Sequence, residues 1–178
     1  LNGHLLLHES LWAVAPAADG LSPKQPVAFS TAADHPLVLP TSGHALRMLI
    51  DDAAARTGAE MTISVQTNSM QVQKQLVLAG HGWTILPGVG VADDVAKGVL
   101  SAAPLCEPDV TRAIVVAAPR TTRIPPAMEA VARELIRQVL AAVADGRWPI
   151  DESQPVTPPL APLDAGALGL SSPGPRAF

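Results

Sequence analysis

Residues 37 to 50 constrain the fold of this chain more than any other stretch: Leu-Val-Leu-Pro-Thr-Ser-Gly-His-Ala-Leu-Arg-Met-Leu-Ile. An apolar run stops at Pro40, turns through Thr41, Ser42 and Gly43, and resumes with helical spacing. That pattern is a buried strand feeding a helix. The junction offers hydroxyls and backbone N–H groups, because the first N–H groups of a helix have no acceptor within it. In open α/β sheets such junctions lie at the carboxyl ends of the strands, where small ligands bind. The chain is therefore expected to hold a small molecule rather than to react with one.

The flanking sequence repeats the theme. Residues 43–57 read as a helix with Leu46, Leu49, Ile50, Ala53 and Ala54 on one side, stopped by Gly58. Residues 61–66 alternate as a strand, Asn68-Ser69 begins a helix over 70–79, and 83–86 form a buried strand ending at Pro87-Gly88. A short helix over 92–97, an edge strand over 100–105 carrying Pro104, a strand over 113–118 and a long helix over 126–144 complete the set. Upstream, residues 4–16 are extended, as one long strand or a short pair, and 27–34 hold one helical turn broken at Asp34-His35-Pro36. Alternation of strands with helices argues a largely parallel sheet. A core of Ala, Val, Leu and Ile fits it, since the 178 residues are 48% apolar but only 3% aromatic.

One internal echo bears on domain organisation. Trp12-Ala13-Val14-Ala15-Pro16 and Val115-Val116-Ala117-Ala118-Pro119 are both apolar strands leaving through Ala-Pro. Each is followed by a polar loop and a restart at proline, at Leu21-Ser22-Pro23 and at Ile124-Pro125-Pro126. Read as two crossovers, they divide the chain into lobe I (1–35 and 120–148) and lobe II (36–119). Coincidence between two Ala/Pro-rich segments is the competing reading. Residues 149–178, rich in Pro, Ala, Gly and Ser without periodicity, read as a disordered tail.

Charge and composition remove several function classes. The net charge is −4 and the basic residues are dispersed, so no basic patch for nucleic acid is visible. Cys106 is the single cysteine, which leaves no disulfide framework and no cysteine-based metal site. No run approaches the roughly 18–20 consecutive apolar residues of a membrane span. The first residues carry no secretory pattern, so a cytoplasmic location is expected. The chain does not begin with Met, so a fragment or an incomplete reading frame is expected.

Catalytic chemistry has little to stand on. No Gly-x-Ser-x-Gly elbow, Walker loop or dinucleotide fingerprint occurs, so no catalytic residue, cofactor or metal is expected. Asp51-Asp52 and Asp93-Asp94 are neighbours that point apart on a helix and make no carboxylate dyad. At the 41–43 junction a hydroxyl can cap the following helix, worth ~1 kcal/mol, or bind an oxyanion with the first-turn N–H groups. Asn68-Ser69 is read as a cap, and the polar residues of the helix it opens as a solvated face or a subunit contact. Arg47 is read as solvated or ion-paired, His81 as a turn residue, and Trp83 as core or cleft wall.

Together these segments resemble the effector-binding domain of LysR-type transcriptional regulators. The resemblance rests on Glu9-Ser10-Leu11-Trp12-Ala13-Val14-Ala15-Pro16, on His35-Pro36-Leu37-Val38-Leu39-Pro40, and on Leu76-Val77-Leu78-Ala79-Gly80-His81-Gly82-Trp83-Thr84-Ile85-Leu86-Pro87. Lys97-Gly98-Val99-Leu100 and the late strand and helix follow in the same order, so that residues 5–148 are covered. The Leu-Pro-Thr-Ser-Gly-His form looks most like the branch that includes nitrogen-assimilation regulators.

The resemblance implies an α/β fold of the two-lobed type-2 periplasmic-binding-protein kind, with lobe II complete and lobe I partial. It implies a small-molecule inducer, an anion or carboxylate, in the cleft between the lobes. Ligand-binding positions carry over to Thr41, Ser42 and Gly43, with Pro87 and Gly88 at the cleft rim. The family's winged helix-turn-helix and the first strand-helix part of lobe I have no counterpart in these residues. DNA contact is therefore expected only through a domain outside them, and a homodimer or tetramer only of a full-length parent. A solute-binding protein of a transport system with the same two-lobed fold is the alternative.

Overall fold

The computed structural model describes residues 2–118 and 125–150. Most of the expected tail, from residue 151 on, and part of the second Ala-Pro exit lie outside the described residues.

Strand β1 (Asn2–Pro16) runs unbroken for 15 residues and serves two sheets in turn. Its first part pairs antiparallel with β7 (Thr111–Ala118), from Asn2 opposite Ala118 to Ser10 opposite Thr111. Its second part pairs antiparallel with β5 (Trp83–Pro87) on one side and β6 (Leu100–Cys106) on the other. Beyond β5 the strands are parallel: β3 (Leu37–Leu39) pairs with β5 and with β4 (Ile63–Gln66). The short β2 (Val27–Ala28) adds parallel to the end of β6, giving the order β2-β6-β1-β5-β3-β4 with β7 branching from β1.

The expectation of a largely parallel sheet needs correction. β1 is antiparallel to all its partners, and parallel pairing is confined to β2–β6, β3–β4 and β3–β5. Helical crossovers demand parallel neighbours only where a helix links adjacent strands; no helix joins β1 directly to β5, β6 or β7. Pro104 is tolerated because β2 covers only Leu105 and Cys106, leaving the outer side of residues 100–104 open.

Among the described residues, five α-helices connect or cover the strands. They are α1 (Phe29–Ala33), α2 (Ala45–Thr57), α3 (Met70–Leu78), α4 (Ala92–Ala96) and α5 (Pro126–Ala144). On α2, Leu46, Ile50, Ala53 and Ala54 are buried at helical spacing, and Gly58 closes the helix in the left-handed region.

Two cores result. The larger joins residues from Leu11 to Val110, including Trp12, Phe29, Leu39, Ile50, Val77 and Ile85. The smaller is built on Leu6, Leu7, Ile136 and Val139, with Trp148 and Ile150 packed against it. Leu6 and Leu7 are both buried because the β1–β7 register shifts between Leu5 and Leu7, so adjacent residues need not alternate between faces.

These cores divide the chain differently from the expected lobes. Residues 11–35 were expected in lobe I, yet Leu11–Ala15 and Phe29 pack in the larger core. Ala15-Pro16 ends a strand of the larger sheet; the passage between sheets comes earlier, near residue 10. Pro149 and Ile150, expected at the start of the tail, are packed against the folded part.

Candidate functional site

The carboxyl ends of β3 and β4 meet the amino ends of α2 and α3. Leaving β3 through Pro40, the chain turns over residues 41–44, with the His44 N–H donating to the Thr41 carbonyl at 3.2 Å. Gly43 holds φ at +85°, a conformation that strains residues with a Cβ, so the turn itself demands glycine there. This turn moves the helix start on by two residues, from 43 to 45. His44, rather than Thr41 or Ser42, caps α2, its Nδ1 accepting from the Leu46 N–H at 3.2 Å.

Thr41 and Ser42 are thereby released from capping. Thr41 is held from across the junction: its N–H and its Oγ1 both donate to Asn68 Oδ1, each at 3.0 Å. Thr41, Ser42 and Gly43 are all exposed. Asn68 is not the cap of α3; Ser69 is, its Oγ accepting from the Val72 N–H at 3.4 Å. The expected Asn-Ser cap thus splits into two tasks, Ser69 closing the helix and Asn68 tethering the opposite turn. Thr67 ties the same region to β3 through its N–H, 2.9 Å from the Leu39 carbonyl.

Gln73 completes the junction from below. Its Nε2 donates to the Thr67 carbonyl at 2.6 Å, and the residue is 1% exposed. Its Oε1 is buried without a hydrogen-bond partner. A buried acceptor left unpaired costs about 1–3 kcal/mol. Sequence reasoning placed Gln73 among solvated polar residues. The missed signal is its spacing: Gln73 lies four residues before the fully buried Val77 and so shares its face.

The expected rim residues are in closer quarters. Pro87 is opposite Leu11 in the sheet and is buried, as is Gly88. A Cβ on Gly88 would lie 2.8 Å from the Trp12 indole Nε1 and 3.2 Å from Pro149 Cγ. Glycine at 88 therefore has a packing reason of its own. The turn Gly88–Gly90 reaches α3 through Gly90, where a Cβ would lie 2.6 Å from Met70 Sδ. Lys74 Nζ donates to the Gly90 carbonyl at 3.3 Å and pairs with Asp94 at 2.7 Å. The amino end of α3 thus touches both turns, Asn68 on one side and Met70 on the other.

Arg47 does not reach out as a clamp. It is buried, its Nε on Asp51 at 2.7 Å and its Nη1 on the Pro40 carbonyl at 3.1 Å. Asp52 pairs separately with Arg56 at 3.4 Å, so the adjacent aspartates act apart. Trp83 is 7% exposed, stacks on His35 at 3.7 Å, and donates through Nε1 to Asp19 at 2.7 Å, at the opposite end of β5. Burial, then Glu107 and Asp109, push the Cys106 thiol above its ordinary pKa. Among the described residues, no three of His, Cys, Asp and Glu gather as a metal site. Among them, too, no helix is long and apolar enough to cross a membrane. What the junction offers chemically is hydroxyl and amide hydrogen bonding.

Comparison with known proteins bears on the family and the fold. Residues 1–140 match the family described as the LysR substrate binding domain. The HTH-type transcriptional regulator BbuR of Bordetella bronchiseptica is 27% identical over 144 residues, which are 81% of this chain and 44% of BbuR. The regulatory domain of Synechocystis PCC6803 CcmR, solved in complex with 2-PG, superposes with a TM-score of 0.66 at 17% identity, over 77% of this chain and 66% of that one. The effector binding domain of QuiR, in complex with shikimate, gives 0.62 at 21% identity, over 77% and 65%. Likeness at these identities is one of fold. The chain spans under half the length of BbuR and about two thirds of these two solved domains. With the family matched over most of its length, this chain belongs to the LysR substrate-binding domain family.

Proposed function

We propose that this domain senses a small anionic effector, a carboxylate or similar oxyanion, on behalf of a LysR-type transcriptional regulator acting in the cytoplasm. DNA contact belongs to a winged helix-turn-helix outside these residues, and dimer or tetramer formation to the full-length parent. The observation that carries the reading is the exposed Thr41-Ser42-Gly43 turn at the carboxyl ends of β3 and β4, tethered by Asn68 yet released from helix capping. Hydroxyls and first-turn N–H groups favour an anion without a fixed cationic partner. Pro87 and Gly88 contribute a packed floor beside Trp12 rather than open donors. Relatives such as BbuR are regulators, and solved neighbours hold 2-PG or shikimate, which favours sensing over transport or catalysis.

Calorimetric titration with a panel of small organic acids tests the site. Thr41→Val with Ser42→Ala is expected to weaken binding about tenfold or more, the loss of one or two charge-assisted hydrogen bonds. The melting temperature should fall little, because the exposed turn keeps its tether from the Thr41 N–H to Asn68. Equal affinity in the double variant would refute the site. The reading frame upstream of Leu1 tests the parent: a helix-turn-helix pattern supports the regulator, whereas a signal peptide favours a solute-binding protein.

A further inference from the structure

Gln73 is the one side chain among the described residues that brings a buried, unsatisfied acceptor to the candidate site. Its carboxamide is oriented by the bond from Nε2 to the Thr67 carbonyl at 2.6 Å, which draws it toward the amino end of α3. The two polar atoms of one carboxamide are ~2.3 Å apart, so Oε1 lies within about 5 Å of the Thr67 carbonyl. Thr67 immediately precedes Asn68, whose Oδ1 holds the Thr41 turn. The unpaired oxygen therefore lies beside the Thr67–Asn68 corner of the junction, near the amino end of α3 whose N–H groups favour an anion. No donor among the described residues reaches it, so its partner would come from outside the chain, a water or a ligand hydroxyl. A carboxylate cannot supply that donor; a hydroxyl can.

We propose that Gln73 Oε1 accepts a hydrogen bond from an effector hydroxyl, so that the site selects hydroxylated acids over their deoxygenated counterparts. The proposal rests on the anion site at Thr41 and Ser42 and adds a second recognition point of opposite polarity. The ligand class it defines carries an oxyanion at one end and a hydroxyl a few ångströms away. Gln73 is then a specificity-determining residue, while Thr41 and Ser42 supply affinity for the anion common to both members of a pair.

Two matched pairs of probes test it by calorimetry on the full chain: D-glycerate against propionate, and quinate against cyclohexanecarboxylate. In at least one pair the hydroxylated acid should bind about tenfold tighter, the worth of a hydrogen bond to a buried acceptor. Gln73→Met, close to isosteric, should bind both members equally, with Gln73→Leu as a second variant if the first unfolds. Thr41→Val should weaken both members in the same proportion. Equal binding of both members by the unaltered chain overturns the selectivity proposal and leaves the anion site standing. So does a preference that survives Gln73→Met, or a crystal structure in which ordered water alone donates to Oε1 with acid bound. Binding of none of the acids overturns both.

Discussion

At Cys106 the thiol sits partly buried at the end of β6, and burial, followed by Glu107 and Asp109, raises its pKa. A raised value leaves less thiolate at neutral pH, and thiolate is the reactive form. Alkylation of the folded chain by iodoacetamide at pH 7.5 is therefore expected to run slower than that of a free cysteine peptide; a faster rate would show an activated thiol. The same shift has a sign for stability. The folded state holds the proton more tightly than the unfolded chain, so the contribution is complete below the ordinary thiol pKa and is lost as pH rises through the raised value. Residue roles were legible in the sequence where local spacing decides them. Ser69 as cap, His81 as turn residue and Arg47 as ion pair all follow from near neighbours. Asn68 and Gln73 were not legible, because their partners depend on which turn the fold sets opposite them.

At the scale of elements, α5 shows how one helix divides its faces. Ile136 and Val139 are buried against Leu6 and Leu7, while Val131 and Leu135 are 68% and 51% exposed. Core truncation and surface substitution should therefore part company. Ile136→Ala is expected to cost about 2–4 kcal/mol. Val131→Lys should change stability by roughly 0.5 kcal/mol or less. Chemical denaturation of the two variants checks the contrast, and a large loss from Val131→Lys would mean that this face is covered in solution. The helix itself was fully legible: its bounds, 126–144, coincide with those read from the prolines and Gly146. Strand direction was not, because alternation of strand and helix says nothing about a strand that no helix links directly to its neighbours.

For the molecule as a whole, Glu9 marks the place where two cores become one structure. It is fully buried where β1 passes from the smaller sheet to the larger, and it accepts from Arg112 Nε and from Trp148 Nε1, the latter at 2.9 Å. Three separate segments, β1, β7 and the chain after α5, are thus tied at one carboxylate. Glu9→Leu should destabilise the protein by about 2–4 kcal/mol, through two orphaned donors and a broken ion pair. Denaturation followed by Trp148 fluorescence should show the smaller core loosening first; a single unchanged transition would mean that the clamp contributes nothing. The sequence by itself determined the α/β class, the order of elements from residue 37 to 144 and the strand-turn-helix at residues 37–50, since each rests on local periodicity, caps and turn chemistry. Only the tertiary structure decided where the two cores divide, that β1 is antiparallel, that Asn68 grips Thr41, and that Gln73 lies buried with an oxygen to spare. Those depend on contacts between residues distant in the chain, which local patterning does not encode.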